Sequence, residues 1–226
     1  MRTSLFASSL LALAIAAPAV QAHQAGDIIV RAGAVTAQTK ENSSSVKVDR
    51  GPLAGANLGG KATLSNNTQL GLNFAYMLTD NLAVELLAAT PFKHDVAVKN
   101  TALGNHKLGS LKHLPPTLSA IYYPLDGKSV FQPYIGAGVS YTVMFDESVK
   151  GSAKDAGFSS LRAQNTWGLA AQVGADYMLT DNIMVNGQVR YIDIDTTAYV
   201  NYAGNRAKVN VDVKPWVYML GLGYKF

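Results

Sequence analysis

Over most of its length the chain alternates apolar residues with small or polar ones, and helical spacing is hard to find after Ala22. A period of two is the signature of a strand with one apolar face. Leu70, Leu72, Phe74 and Tyr76 alternate with Gln69, Gly71, Asn73 and Ala75. Leu82, Val84, Leu86 and Ala88 alternate with Ala83, Glu85, Leu87 and Ala89. The same rhythm runs through Pro133 to Phe145, Trp167 to Tyr177, Ile183 to Arg190 and Trp216 to Phe226. Two strands are less clean. Gly26 to Ala37 sets Ile28, Val30 and Ala32 against Arg31, and in Thr117 to Tyr123 the contrast is blurred by Ile121. The expected total is eight strands.

The connections alternate in length. Leu78–Asn81, Pro124–Val130 and Met178–Asn182 are short; 39–66, 92–113, 146–165 and 197–208 are long and rich in Gly, Ser, Asn and Lys. Short and long loops at opposite ends describe an up-and-down meander. Tyr-Met-Leu-Thr-Asp-Asn occurs at 76–81 and again at 177–182, which reads as one tight-turn solution used twice.

Composition decides which way the apolar face points. The 226 residues are 48% hydrophobic but only 15% charged, against roughly 25% charged in an ordinary soluble domain. Many surface positions must then be neutral, which is normal in a bilayer. The opposite face is mostly Gly, Ala, Ser, Asn and Gln, sizes that fit the narrow interior of an eight-stranded barrel. Tyr76, Tyr177 and Tyr224 end the apolar faces beside the short turns, where a membrane barrel carries an aromatic girdle. A soluble barrel with the apolar face inside is the less economical reading. The fold class expected is all-β, an eight-stranded antiparallel up-and-down transmembrane barrel; closure leaves no strand edge in lipid.

The first residues fit that destination. Met1-Arg2 is a short basic start, Leu10 to Ala17 is apolar, Pro18 breaks the run, and Val20-Gln21-Ala22 suits a cleavage site. The run is too short for the ~20 residues of a membrane span. Residues 1–22 are expected to be a cleaved export signal and 23–226 the barrel, carrying four long external loops. This places the chain in the outer membrane of a Gram-negative cell, surrounded by outer-membrane lipids and lipopolysaccharide. The net charge of +4 is scattered with no basic run, so nucleic acid is not an expected partner. No Cys is present, which excludes thiol chemistry and Cys-based metal sites.

Several segments resemble the OmpW family of outer-membrane proteins: Asn67 to Tyr76, Thr79 to Phe92, His113-Leu114-Pro115-Pro116-Thr117, Pro133 to Gly138, Asp193 to Thr197, and Pro215-Trp216 through Phe226. They cover nearly all the strands in order. The resemblance implies an eight-stranded barrel with a narrow apolar channel that passes small hydrophobic molecules. A strand ending on Phe226 also resembles the ending read by the outer-membrane insertion machinery.

Chemistry-bearing motifs are sparse. Gly136-Ala137-Gly138 begins like a dinucleotide loop but lacks the third Gly and the helix. His94, His106 and His113, with Asp95, have irregular spacing and read as solvated loop residues rather than metal ligands. No Gly-x-Ser-x-Gly elbow appears. No enzyme, cofactor or metal is expected. The inward charges say more. Arg31, Asn73, Glu85, Asp176 and Lys225 are expected to form a polar plug low in the barrel, because an unpaired charge there is costly. Higher up, the inward set is apolar: Leu87, Ala89, Met144, Val217 and Met219, with Leu114 at the rim. Pro91, Pro115 and Pro116 flank the connection between the third and fourth strands and donate no ladder hydrogen bond, so that seam should be open locally. Two roles remain at this level: a channel for small apolar solutes with lateral release, or a non-transporting envelope barrel or surface receptor.

Overall fold

The computed structural model describes residues 22–39 and 41–226; apart from Ala22, the expected export signal lies outside the described residues. In chain order the strands are β1 (Ile28–Gln38), β2 (Glu41–Ser43), β3 (Val46–Arg50), β4 (Asn57–Leu64), β5 (Asn67–Met77), β6 (Leu82–Ala89), β7 (Phe92–Thr101), β8 (Gly104–Leu114), β9 (Thr117–Tyr122), β10 (Phe131–Val149), β11 (Phe158–Ala163), β12 (Thr166–Met178), β13 (Ile183–Ile192), β14 (Ile194–Tyr202), β15 (Asn205–Val213) and β16 (Trp216–Lys225). A short helix, α1 (Gly151–Asp155), joins β10 to β11.

Eight of these strands close a barrel. The order is β1, β5, β6, β9, β10, β12, β13, β16 and back to β1, antiparallel throughout. Closure is between the first and last strands, from Ile29 opposite Lys225 to Gln38 opposite Trp216. The apolar face points outward: Leu70, Phe74, Ile135, Leu169, Leu220 and Leu222 are all exposed. Aromatic girdles bound this belt. Tyr76, Tyr122, Phe131, Tyr177 and Tyr224 lie at the turn end, and the ring pairs Tyr141–Trp167 and Tyr191–Trp216 lie at the other. Along β12, Trp167 to Tyr177 climbs ~25 Å at ~3.3 Å per residue and a tilt of ~40°, which is the height of a membrane barrel's apolar band.

The repeated hexapeptide builds the same turn twice. Thr79 Oγ1 accepts from the Asn81 and Leu82 amides at 3.3 and 3.0 Å, and Thr180 Oγ1 accepts from Asn182 and Ile183 at the same distances. The two Asn side chains then donate to the neighbouring strand, Asn81 to the Tyr123 carbonyl at 2.7 Å and Asn182 to the Lys225 carbonyl at 2.8 Å.

The four long connections correct the reading of them as loops. They are mostly strand: β2 to β4, β7 with β8, upper β10 with β11, and β14 with β15. These segments pair in the order β11-β14-β15-β3-β4-β7-β8-β10 and stack a second ring on the barrel. Polar composition concealed them, because their outer faces meet water: Lys93, Asp95 and Lys112 alternate with inward Phe92, His94 and Leu111. Inside, Val96, Val98, Leu111, Val209, Val211 and Val213 form a buried apolar core. The ring stays open between β10 and β11, where a cleft of about 930 Å³ is lined by Glu147, Ser148, Val149 and the whole of β11.

Narrowness makes glycine necessary at the closing seam. Gly71, Gly33 and Gly221 lie side by side on β5, β1 and β16. A Cβ on Gly33 would lie 2.2 Å from the Leu220 carbonyl oxygen, and backbone cannot swing aside. Gly33→Ala is expected to destabilise the barrel by about 2 kcal/mol. Gly187→Ala, whose Cβ would meet only a Leu220 methyl at 4.0 Å, should leave stability nearly unchanged. Urea unfolding of both variants in lipid checks the contrast.

Candidate functional site

Low in the barrel, two guanidiniums and two carboxylates are packed out of water. Arg31, Glu85 and Asp176 have no exposed surface, and Arg190 is 1% exposed. Arg31 on β1 grips Asp176 on β12 with both arms of its fork, Nε to Oδ1 at 2.9 Å and Nη2 to Oδ2 at 2.5 Å. Bidentate geometry of this kind is the strongest form of the pair. Arg31 also donates to Asn73 at 3.2 Å and Tyr123 at 2.9 Å, and lies 3.5 Å from Glu85. Glu85 on β6 has a second and closer cation: Arg190 Nη2 on β13 at 2.6 Å. Gln172 ties the two together, donating to Glu85 at 2.8 Å and accepting from Arg190 Nε at 2.7 Å. Asn186 and His23 complete the shell of Asp176 at 2.8 and 3.2 Å. The two positive and two negative groups cancel, so the closed cluster carries no net charge across the lumen.

Glycines make room for it. A Cβ on Gly223 would come within 3.0 Å of Arg31 Cγ, and one on Gly174 within 2.5 Å of the Tyr134 hydroxyl. Arg31, Asn73, Glu85 and Asp176 are therefore brought together. Lys225 Nζ lies 3.7 Å from Asp27 at the barrel mouth. Arg190, Gln172, Asn186, Tyr123 and Tyr134 are further members that the sequence reading passed over. Their parity placed most of them inside, but their partners lie across the lumen, and no sequence periodicity reports that.

Above the plug the interior becomes apolar. A cavity of about 20 Å³ is lined by Val35, Leu87, Ala89, Phe92, Pro115 and Val217, among others. It shares Ala37, His113, Ile194 and Pro215 with a larger one of about 60 Å³, whose wall includes Met144, Leu111 and Val211. Leu161 and Ala163 belong both to this larger cavity and to the external cleft. Met219 is buried at the boundary, its sulfur 3.1 Å from Gln188 Nε2. Leu114 lies off the cavities. It pairs with Val143, while the inward positions of β8 are Leu111 and His113.

The three prolines flank a break in a ladder. β6 and β9 pair up to Leu87 opposite Thr117, and β7 and β8 resume at Phe92 opposite His113. Between these points no cross-strand pair forms, and Ala89, Pro115 and Phe92 on the two sides of the break line the smaller cavity.

Two histidines depart from the solvated reading. His94 and His113 face inward, Nε2 to Nε2 at 2.7 Å, with their rings stacked at 4.8 Å and Phe92 stacked on His113 at 5.3 Å. His94 Nδ1 contacts the Ser65 carbonyl. His106 instead bonds the Leu103 carbonyl at 2.8 Å. No group of three or more His, Cys, Asp or Glu arranged for a metal occurs among the described residues.

Two predictions follow from these contacts. Arg190→Ala leaves Glu85 with the more distant Arg31 as its nearest cation, so it should cost about 3 kcal/mol or more. The double change with Glu85→Ala should cost clearly less than the sum of the singles in equilibrium unfolding, because the pair acts as a unit. The second concerns acid. His113 sits beyond the apolar belt, where burial, and next the neighbouring His94, push its pKa from 6.5 down to about 3. It is neutral when folded but takes a proton when unfolded. Its contribution to stability is therefore full above about pH 6.5 and is lost as pH falls toward 3. Amide exchange in β7 and β8, corrected for intrinsic rates, should quicken over that window, and His113→Phe should flatten the response.

A family model described as the OmpW family matches residues 24–226. Outer membrane protein W of Vibrio cholerae serotype O1 is 44% identical over 227 residues, covering 100% of both chains. The crystal structure of outer membrane protein OprG from Pseudomonas aeruginosa superposes with a TM-score of 0.85 at 49% identity, covering 92% of this chain and 99% of that one. A more distant relative from Pseudomonas aeruginosa, 29% identical over 74% of this chain and 76% of its own length, is named dibenzothiophene metabolism operon protein PahQ. With its closed eight-stranded barrel, outward apolar belt and a match along nearly the whole chain, this protein belongs to the OmpW family of the Gram-negative outer membrane.

Proposed function

We propose that the chain is a passive, non-enzymatic conduit that takes small apolar molecules from the external side and releases them sideways into the membrane. The observation that carries this is the polarity of the interior. Its lower part is filled by paired charges with no exposed surface, and a hydrocarbon gains nothing by crossing them. Its upper part holds adjacent apolar cavities, where transfer from water is favourable by ~25 cal/mol per Å² of apolar surface buried.

The proposed path runs from the outside to the seam. The β10–β11 cleft meets the larger cavity at Leu161 and Ala163, and the smaller cavity ends against the broken ladder at Ala89, Phe92 and Pro115. Opening sideways there breaks few backbone hydrogen bonds, because prolines donate none. The cavities are small at rest, so a solute advances as flexible side chains such as Met144 give way. An operon name tied to metabolism of the aromatic dibenzothiophene, borne by PahQ, supports an apolar cargo here. In the same reading residues 1–22 export the chain. The final strand, β16, is the element the barrel-insertion machinery would read, and outer-membrane lipids with lipopolysaccharide surround the barrel.

Continuing the ladder across the break sets Ala89 opposite Pro115. In this cysteine-free chain, Ala89→Cys with Pro115→Cys should form a bridge that cuts uptake of toluene at least fivefold, with recovery on reduction. Leu87→Asp should lower uptake while the barrel still folds. Undiminished uptake by the oxidised, folded protein would reject lateral release.

A further inference from the structure

The larger cavity has an apolar surface with polar groups just behind it. Two of its lining residues, His113 and Thr142, carry buried polar atoms, Nδ1 and Oγ1, with no hydrogen-bond partner. Buried polar atoms are almost always paired, and each exception calls for a reason. These two lie on one wall. His113 on β8 is opposite Met144 on β10, and Thr142 is the next inward residue along β10.

The hydrogen bonds around them fix which way the protons lie. A carbonyl oxygen only accepts, so His94 donates through Nδ1 to Ser65. With both imidazoles neutral, His94 Nε2 offers a lone pair and His113 supplies the proton of the 2.7 Å Nε2–Nε2 bond. A neutral His113 has one proton, which leaves its Nδ1 as a bare acceptor. Its neutrality is secured by burial and by the neighbouring imidazole. Thr142 is different: its hydroxyl can donate as well as accept.

A ligand group that donates once and accepts once satisfies both atoms. That group is a hydroxyl. We infer that the cavity selects apolar molecules bearing a single hydroxyl, phenols and short alcohols, over plain hydrocarbons of the same shape. The hydroxyl donates to His113 Nδ1 and accepts from Thr142, while the apolar body lies among Met144, Leu111 and Val211. A hydrocarbon entering the same space leaves both polar atoms unpaired. This inference rests on the channel reading above and narrows its cargo.

Phenol and toluene form a matched pair, a hydroxyl against a methyl on the same ring. Binding of each is measured to the full barrel in nanodiscs, with empty nanodiscs subtracted, alongside uptake by cells with and without the protein. Wild type should hold phenol about tenfold more tightly than toluene once each is corrected for partition into lipid, the scale of one satisfied buried hydrogen bond. Thr142→Val keeps the side-chain shape and should remove most of that preference while toluene binding changes less than twofold. His113→Phe keeps the ring stacked on Phe92 and should also remove the preference for phenol. Equal binding of the two solutes in wild type, or a preference that survives both substitutions, overturns the hydroxyl selection and leaves a plain apolar channel. Binding or uptake of neither solute by the folded barrel overturns the channel reading and this inference with it.

Discussion

In a hydrocarbon phase a strand edge has no partner, and the cost of each unpaired backbone group is several kcal/mol. Pairing of β1 with β16 removes the last edges of the membrane-spanning sheet, and much else in the molecule answers to that closure. Eight tilted strands enclose a lumen only wide enough for side chains. Closing so small a circle forces strands together at Gly33 and Gly221, and it forces every inward residue to find its partner across the lumen or along the wall.

The charged cluster is one consequence. Four ionised groups in a space without water are tolerable only when each is paired and hydrogen-bonded. Arg31 with Asp176 and Arg190 with Glu85, bridged by Gln172, meet that condition. The same network lies across the lower lumen with its four charged groups out of water. The alternative of an open aqueous pore needs a wider barrel.

The external ring is the other consequence. Strands leaving the membrane continue as hairpins that are polar outside and apolar inside, which is the reverse of the barrel below. The change of solvent outside the wall, from lipid to water, requires this inversion. The apolar interior of the ring thus continues into the upper barrel, and the wall has two gaps: the β10–β11 opening within the ring, and the break between ring and barrel marked by Pro91, Pro115 and Pro116.

Alternation with a period of two, together with scarce charge, determined the eight barrel strands, their outward faces and the short turns, because each strand's two faces meet different media all along its length. The inward place of Arg31, Asn73, Glu85 and Asp176 was legible for the same reason. The strands in 39–66, 92–113, 146–165 and 197–208 were not legible, since Lys, Asn and Gly on a water-facing side mimic loop composition. Pairing was decided only by the tertiary structure. Parity puts Arg190 and Glu85 inside, but strands β13 and β6 face each other across the lumen only after closure sets the shear. Parity also depends on an unbroken ladder: at the Pro115–Pro116 break, the register of β8 placed His113 inward and Leu114 outward. What a strand exposes is thus written locally, every second residue. Which residue it meets across the barrel depends on the closed sheet as a whole.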